Sequence, residues 1–444
     1  MNMMISRRVA MTGLAAATAA LPVRAQVFPP AGYGTPAGTA PFPPGVFQER
    51  RRRLMEKLGG GVALLFGAGK PSGISAVESP FTQNADFAWL TGIVDEPDAV
   101  LVLAPGERNV REYLFLPSRD PEVERWEIER LPLGAELERR TGFQRVQRAS
   151  AVGSVVTALA SQNKELHFLG PVVGPDSPMP KVLEMYGKVA QRMPGVKITD
   201  SSKILTGMRL VKDPAELALI RRALAATARG HMAGMRGVKP GMSERQLKDI
   251  IEAGFREGGG EGLAYSSIVG SGRNAASLHY VGGGGAIRDG DLILVDAAAS
   301  VGGYATDITR TFPANGRFNA RQRASYDLVL AAQEAAASRL KAGVYYYDLA
   351  EAAKEVFRKA GRIDQFYHGL GHQVGLDVHD AWDQSLPIPA GAVMTIEPGL
   401  YSQVDNEGIR IEDMYLVTQT GAQRMSTAIP RTADEVERFM AGRS

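Results

Sequence analysis

The chain repeats part of itself, and this restricts its fold more than any other feature. At an offset of 102 residues, Lys239 aligns with Lys341, Gly241 with Gly343, Leu247 with Leu349, Phe255 with Phe357, Arg256 with Arg358 and Gly259 with Gly361. These six identities fall within about two dozen positions. Each copy also runs in the same order: a long helical pattern, a turn containing Gly, a second helix ending in Gly, then strand-rich sequence. Two similar halves facing each other would enclose a central cleft. The repeated region opens at Lys212-Asp213-Pro214-Ala215-Glu216, where Asp213 can cap a helix, Pro214 suits the first turn and Glu216 can complete a capping box. A domain boundary is therefore placed between residues 200 and 201. Residues 46–200 read as a mixed α/β segment with strand-like runs at 62–66, 99–103 and 113–116 and few chemical groups.

The N-terminus carries Ser6-Arg7-Arg8, an apolar Ala-rich run and Val23-Arg24-Ala25 before Gln26. This is the pattern of a signal peptide over residues 1–25 with a small-residue cleavage site, and the paired arginines fit twin-arginine export to the periplasm. The run is shorter than the roughly 20 apolar residues of a membrane span, so no stable insertion is expected after cleavage. Residues 26–45, rich in Pro, Gly, Ala and Thr, read as a flexible lead-in. Fifty-one Lys and Arg stand against 48 Asp and Glu, which argues against a nucleic-acid partner. With no cysteine in the chain, metal ligands must come from His and carboxylates.

Acidic residues sit where strands end. The apolar run 292–295 leads into Asp296, and 305–311 alternates like a strand, with Val301-Gly302-Gly303 as the turn between them. A turn centred between Val301 and Gly302 places Asp296 opposite Asp307, with Cβ atoms roughly 5 Å apart. Like charges so placed destabilise a hairpin unless a cation lies between them. In the second half, 393–396 leads into Glu397 before Pro398-Gly399, and 408–412 alternates with Arg410 and Glu412 on one face. The repeat offset carries Asp296 and Asp307 to positions near this second acidic pair. Four carboxylates balance two divalent ions.

Four of the chain's six histidines, His279, His368, His372 and His379, lie in this part of the sequence. The glycines around His368-Gly369-Leu370-Gly371-His372 disfavour a helix, and an extended backbone puts His368 and His372 on one face. The helical HExxH zinc motif is absent from this stretch. His167 and His231 stand alone in apolar or helical surroundings and are read as structural.

These stretches resemble the pita-bread metallopeptidases, specifically the Xaa-Pro aminopeptidases (aminopeptidase P) and the related prolidases. The resemblance covers about 240 residues. It is carried by Val269-Gly270-Ser271-Gly272 through His279-Tyr280, Val295-Asp296, Thr306-Asp307-Ile308-Thr309-Arg310-Thr311-Phe312, His368 through His379-Asp380, Thr395-Ile396-Glu397-Pro398-Gly399 and Ile409-Arg410-Ile411-Glu412-Asp413. Weaker similarity to the family's creatinase-type domain lies in Gln83 through Gly92, in Glu96-Pro97-Asp98-Ala99-Val100 and around Trp126.

The resemblance implies an α+β chain: a creatinase-type N-terminal domain over 46–200, then a duplicated pita-bread catalytic domain over 201–444. It also implies two divalent ions, with Asp307 and Glu412 bridging them, Asp296 completing one site, and His372 and Glu397 the other. Mostly hard oxygen ligands favour manganese, with cobalt or zinc as substitutes. A metal-bridging hydroxide would attack the bond preceding proline, Glu397 accepting a proton and His279 and His379 binding substrate or oxyanion. His368 and Arg410 would orient the cleft and its substrate. Peptides with proline second are the implied partners, and the region around Trp126, which lines a neighbouring subunit's site in some relatives, implies a homo-oligomer. A prolidase restricted to dipeptides, a non-catalytic binding protein of the same fold and a creatinase-like C–N hydrolase are the alternatives.

Arg7-Arg8 and the Ala25-Gln26 junction predict a mature periplasmic protein beginning near Gln26. N-terminal sequencing of fractionated cells checks this, and an intact Met1 on soluble cytoplasmic protein would rule it out.

Overall fold

The computed structural model describes residues 41–69, 81–126 and 132–442. The expected signal peptide and the lead-in up to residue 40 lie outside the described residues. Among the described residues no helix is long and apolar enough to cross a membrane.

The N-terminal domain is a six-stranded sheet of β1 (Val62–Phe66), β2 (Val100–Leu103), β3 (Glu112–Leu116), β4 (Arg145–Arg148), β5 (Glu165–Phe168) and β6 (Lys197–Asp200), in the order β4-β3-β2-β1-β5-β6. β1 to β3 pair antiparallel, and the outer strands add in parallel. The central strands β1 and β2 are apolar on both sides because both faces are covered. Val62 and Leu64 pack beneath helices α5 (Val152–Asn163) and α6 (Lys181–Arg192). Ala63 and Leu65 point the other way, towards α1 (Pro44–Leu58), α2 (Ala85–Thr91) and α4 (Ala135–Thr141). The short α3 (Pro121–Trp126) precedes α4. The three strand-like runs in the sequence correspond to β1, β2 and β3. The lead-in is shorter than expected, since α1 already begins at Pro44 and Phe42 is buried, with its ring 5.9 Å from both Phe47 and Tyr304.

Helix α7 (Ser202–Leu210) connects to the second domain, which opens with α8 (Pro214–Gly237). The capping box is formed as read: Asp213 accepts from the Ala215 and Glu216 amides, and Glu216 accepts from Asp213. Next come α9 (Glu244–Glu257), β7 (Gly262–Leu263), β8 (Ile268–Ser271), β9 (Leu292–Asp296), β10 (Ala299–Ser300) and β11 (Thr309–Pro313). The second half follows with α10 (Ala320–Ala337), α11 (Tyr346–Lys359), β12 (Val393–Ile396), β13 (Gly399–Ser402), β14 (Glu407–Arg410), β15 (Asp413–Val417), β16 (Ala422–Arg424) and α12 (Ala433–Ala441). The duplication is real in space. α9 and α11 begin and end at positions separated by the repeat offset, Leu247 and Leu349 are both fully buried, and Gly241, Gly259, Gly343 and Gly361 all have positive φ. β9 sits between β11 and β8, and β15 sits between β12 and β16.

The two halves join along β11 and β14. Thr311 Oγ1 accepts from the Arg410 amide and donates to its carbonyl, and the Glu412 amide donates to Thr309 O at 3.1 Å. Behind this seam Arg310 is fully buried, with Nη2 2.7 Å from Asp413 Oδ1 and Nη1 2.6 Å from Glu412 O.

The first hairpin does not have the expected register. Asp296 pairs with Thr309, not Asp307, because the turn is centred on Gly302 and Gly303, with φ of +58° and +79°. Two consecutive residues at positive φ form the tight turn that matches strand twist, and glycine reaches that geometry without strain. Residues 305–307 leave the ladder: Ala305 N donates to Gly375 O and Thr306 Oγ1 to Ala299 O. In the second half, β14 ends at Arg410, so Glu412 lies in the link to β15 and not on a strand.

Replacing Arg310 by Ala leaves Asp413 buried without its main counter-charge. A loss of about 3–5 kcal/mol in stability is expected, read as a lower urea midpoint at unchanged slope.

Candidate metal centre

Despite the shifted register, the acidic side chains converge. Asp296 arrives at the end of β9, Asp307 from the turn before β11, Glu397 directly after β12, and Glu412 from the β14–β15 link. His372 comes from the irregular segment between α11 and β12. Together with His279, His368, His379 and Arg410 they line one cleft of about 280 Å³. Three overlapping groups have ligand atoms within 4.8 Å of one another: Asp296 with Asp307 and Glu412, His372 with Glu397 and Glu412, and Asp307 with His372 and His379. Glu412 and Asp307 each belong to two groups.

The side chains are held by specific partners. Tyr265 OH lies 2.5 Å from Asp296 Oδ1 and also within hydrogen-bond distance of Asp307 Oδ1, so its one proton serves either of two acids that are not strand partners. Glu412 Oε2 accepts from Thr309 Oγ1 at 2.8 Å. The His372 ring presents Nδ1 to the Gln373 carbonyl at 3.1 Å. With Nδ1 engaged there, Nε2, 3.3 Å from Asp307 Oδ2 and 3.6 Å from Glu397 Oε1, is the ring nitrogen that a metal ion would take in place of a proton. His379 stacks edge-on against His372 with centroids 4.0 Å apart, and its own side chain is exposed, as is that of His279.

His368 and Arg410, read as orienting the cleft and its substrate, line the cleft and are themselves held by protein partners. Arg410 is 2% exposed and donates to Asp296 Oδ2 at 2.6 Å, to Tyr401 OH at 2.9 Å and to Thr309 Oγ1 at 3.1 Å. His368 meets Tyr401 OH through Nε2 and the Gly369 carbonyl through Nδ1. The chain His368–Tyr401–Arg410–Asp296 therefore braces a carboxylate. Burial, reinforced by the charge of Arg410, pushes the His368 imidazole down to about 4, so it is neutral. Tyr265 and Tyr401 escaped the sequence reading because neither lies in a stretch with a metal-ligand pattern. His167, bonded to Ser201 Oγ and Gly60 O, is structural. His231 is completely buried and bonds the carbonyl of Ala297, next to Asp296.

These residues fit the two divalent ions that the resemblance implies. Burial, then repulsion from Asp307 and Glu397, raises the Glu412 carboxyl well above the usual range, and its buried Oε1 has no hydrogen-bond partner among the described residues. Burial likewise carries Glu397 to about 7. Burial opposes charging of His372, yet its bond to Asp307 and the negative charges around it prevail and raise it to about 9. Two like charges within 4.8 Å of each other repel by roughly 3 kcal/mol or more at an effective dielectric near 20. One guanidinium cannot offset four such carboxylates, whereas divalent cations can.

Residues 218–419 match the model of metallopeptidase family M24, and residues 47–167 match the aminopeptidase P N-terminal domain. The chain is 35% identical to the Xaa-Pro aminopeptidase of Escherichia coli over 433 residues, covering 89% of this chain and 97% of that one. It is 34% identical to the Haemophilus influenzae Xaa-Pro aminopeptidase, covering 90% and 98%. Among solved structures, aminopeptidase P from E. coli with the inhibitor Pro-Leu matches with a TM-score of 0.80 at 32% identity, over 90% of this chain and 99% of that one.

Asp307, His372 and Glu412 each sit in two ligand groups, but a carboxylate has two oxygens to share between ions whereas His372 has a single free ring nitrogen, so Asp307→Ala or Glu412→Ala is expected to abolish binding of both ions, while His372→Ala chiefly weakens one. Metal content per chain checks this, and full occupancy in Asp307→Ala would sink the arrangement.

Proposed function

This chain belongs to metallopeptidase family M24, among the Xaa-Pro aminopeptidases, and we propose that it releases the N-terminal residue from peptides whose second residue is proline. The observation that carries the dinuclear reading is the sharing of Glu412 between the Asp296–Asp307 group and the His372–Glu397 group. Asp296, Asp307 and Glu412 would hold one ion; His372 and Glu397, with the shared Asp307 and Glu412, would hold the other. The oxygen-rich donor set favours manganese, with cobalt or zinc able to substitute. Such ions, when bound, would acidify a water molecule and polarise the scissile carbonyl.

The chain's own residues supply the rest. Glu397 is placed at the cleft wall to accept a proton and pass it towards the leaving nitrogen. Burial raises the Asp296 carboxyl, and Arg410 opposes that rise and fixes the side chain through a charge-assisted hydrogen bond. His279 and His379, exposed on the cleft lining, are free to donate to the substrate carbonyl as negative charge develops on it. Proline makes the scissile nitrogen a tertiary amide without N–H, so recognition has to come from shape and from the carbonyl groups. We further propose periplasmic export by the twin-arginine route and self-association that sets the Trp126 region against a neighbouring cleft.

A manganese-supplemented assay over Xaa-Pro peptides of increasing length tests this reading. Cleavage of tripeptides and longer substrates is expected, hydrolysis confined to dipeptides would indicate a prolidase, and no hydrolysis across the panel would remove the proposal. In the same assay His379→Ala should retain two ions per chain and lose roughly 100-fold in turnover, the scale of one transition-state hydrogen bond.

A further inference from the structure

The segment carrying His372 and His379 belongs to no extended sheet, yet both rings must stay in place. Its ends close on each other, with Asp380 N donating to Gln373 O at 2.9 Å. Its first residues are tied to β12, His372 O accepting from Thr395 N at 2.8 Å and Val374 N donating to Val393 O at 3.0 Å, and Gly375 O accepts from Ala305 N; the end that carries His379 is held by a buried ion cluster. Asp380, with its side chain 2% exposed, accepts from Arg209 Nη2 at 2.5 Å on one oxygen and from Lys212 Nζ at 2.9 Å on the other. Arg209 Nη2 also reaches Asp377 at 3.0 Å, while Nη1 reaches Asp86 at 2.6 Å. The packing there leaves no slack: a Cβ placed on Gly375 would overlap Asp380 Oδ2.

The cluster spans three parts of the fold. Asp86 lies on α2 of the N-terminal domain, Arg209 and Lys212 flank the junction between α7 and α8, and Asp380 directly follows His379. A buried ion cluster is a weak source of net stability, because desolvation offsets most of the attraction, but a planar guanidinium shared among carboxylates fixes orientation closely. Moving Asp380 moves His379, and the edge-on contact between the rings transmits that to His372.

We infer that Arg209 and Lys212 are positioning residues for the metal centre, and that Asp86 makes the N-terminal domain part of its scaffold. This rests on the reading of His372 as a metal ligand. The proline-peptide activity is a separate matter, since metal affinity can be measured without substrate.

The test compares the full chain with Arg209→Ala, Arg209→Lys, Asp86→Asn and Trp89→Phe. Trp89→Phe removes a different bond across the domain boundary, from Trp89 Nε1 to Glu216 at 2.9 Å, and keeps an aromatic ring in the core without altering any member of the ion cluster. Metal-free protein is titrated with Mn2+ by calorimetry, melting temperatures are recorded, and kcat and KM are measured on an Xaa-Pro tripeptide. Arg209→Ala is expected to weaken one of two Mn2+ binding events by about 10–100-fold, the usual effect of removing a ligand's outer support. Its kcat should fall on the same scale while KM changes less than about threefold. Arg209→Lys should recover part of both losses, Asp86→Asn should show a smaller loss of the same kind, and Trp89→Phe should lower the melting temperature with Mn2+ affinity unchanged. Wild-type Mn2+ affinity in Arg209→Ala, or an equal loss in Trp89→Phe, would overturn the inference. Should Arg209→Ala not fold, Arg209→Lys and Asp86→Asn decide it by the same readings. Absence of peptide hydrolysis in the wild type would count against the proposed activity while leaving the Mn2+ titrations decisive here.

Discussion

Asp296, Asp307, Glu397 and Glu412 are crowded into one cleft, where each repels its neighbours and burial raises the cost of every charge. The surrounding structure keeps them together. Tyr265 bridges two of them, Thr309 holds a third, and Arg410 supplies a compensating charge that is itself fixed by Tyr401 and Thr309. Behind them Arg310 joins the strand after Asp307 to the backbone of Glu412 and to Asp413. Gln333 on α10 donates to the carbonyls of Ile396 and Ile411, next to the two glutamates. The arrangement makes electrostatic sense with cations in the cleft.

The duplicated architecture brings four acids to one place. Each half supplies one acid at the end of a strand and another just before the strand that pairs with it: Asp296 and Asp307 around β9 and β11, Glu397 and Glu412 around β12 and β15. The halves are not chemically equivalent. His372, Arg410 and Tyr401 all come from the second half, and Tyr265 from the first. Symmetry therefore builds the acidic frame, and departures from it differentiate the two sides.

The N-terminal domain is fastened to this frame by more than the cluster at Arg209. Arg50 on α1 reaches Asp213 at the start of α8 and the Trp89 carbonyl, and Glu216 accepts from both Trp89 Nε1 and Tyr304 OH. The residues that cap α8 thus also hold the domains together. Tyr304 closes the Gly302-Gly303 turn, so the N-terminal domain touches the hairpin that carries Asp296 and Asp307.

Local chemistry was legible in the amino-acid sequence. The capping box at Asp213 and Glu216, the repeat at Leu247, Phe255 and their counterparts, and the acids at the ends of apolar runs each depend on neighbours a few residues away, or on a pattern that recurs. The six histidines also separated largely as their surroundings suggested, although His231 proved to touch the backbone beside Asp296. What the sequence could not determine depended on geometry at a distance. Moving the turn centre by one residue changes every cross-strand partner, so Asp296 faces Thr309 and meets Asp307 only through the phenol of Tyr265. Arg410 was legible as a cleft residue, but its three protein acceptors, Asp296, Tyr401 and Thr309, could be known only from the packed structure. The contact of Arg209 with Asp380 joins residues 171 positions apart. Helix caps and strand patterns follow from local sterics and periodicity, but which distant side chains share a hydrogen bond is decided only when the packed core fixes where each element lies.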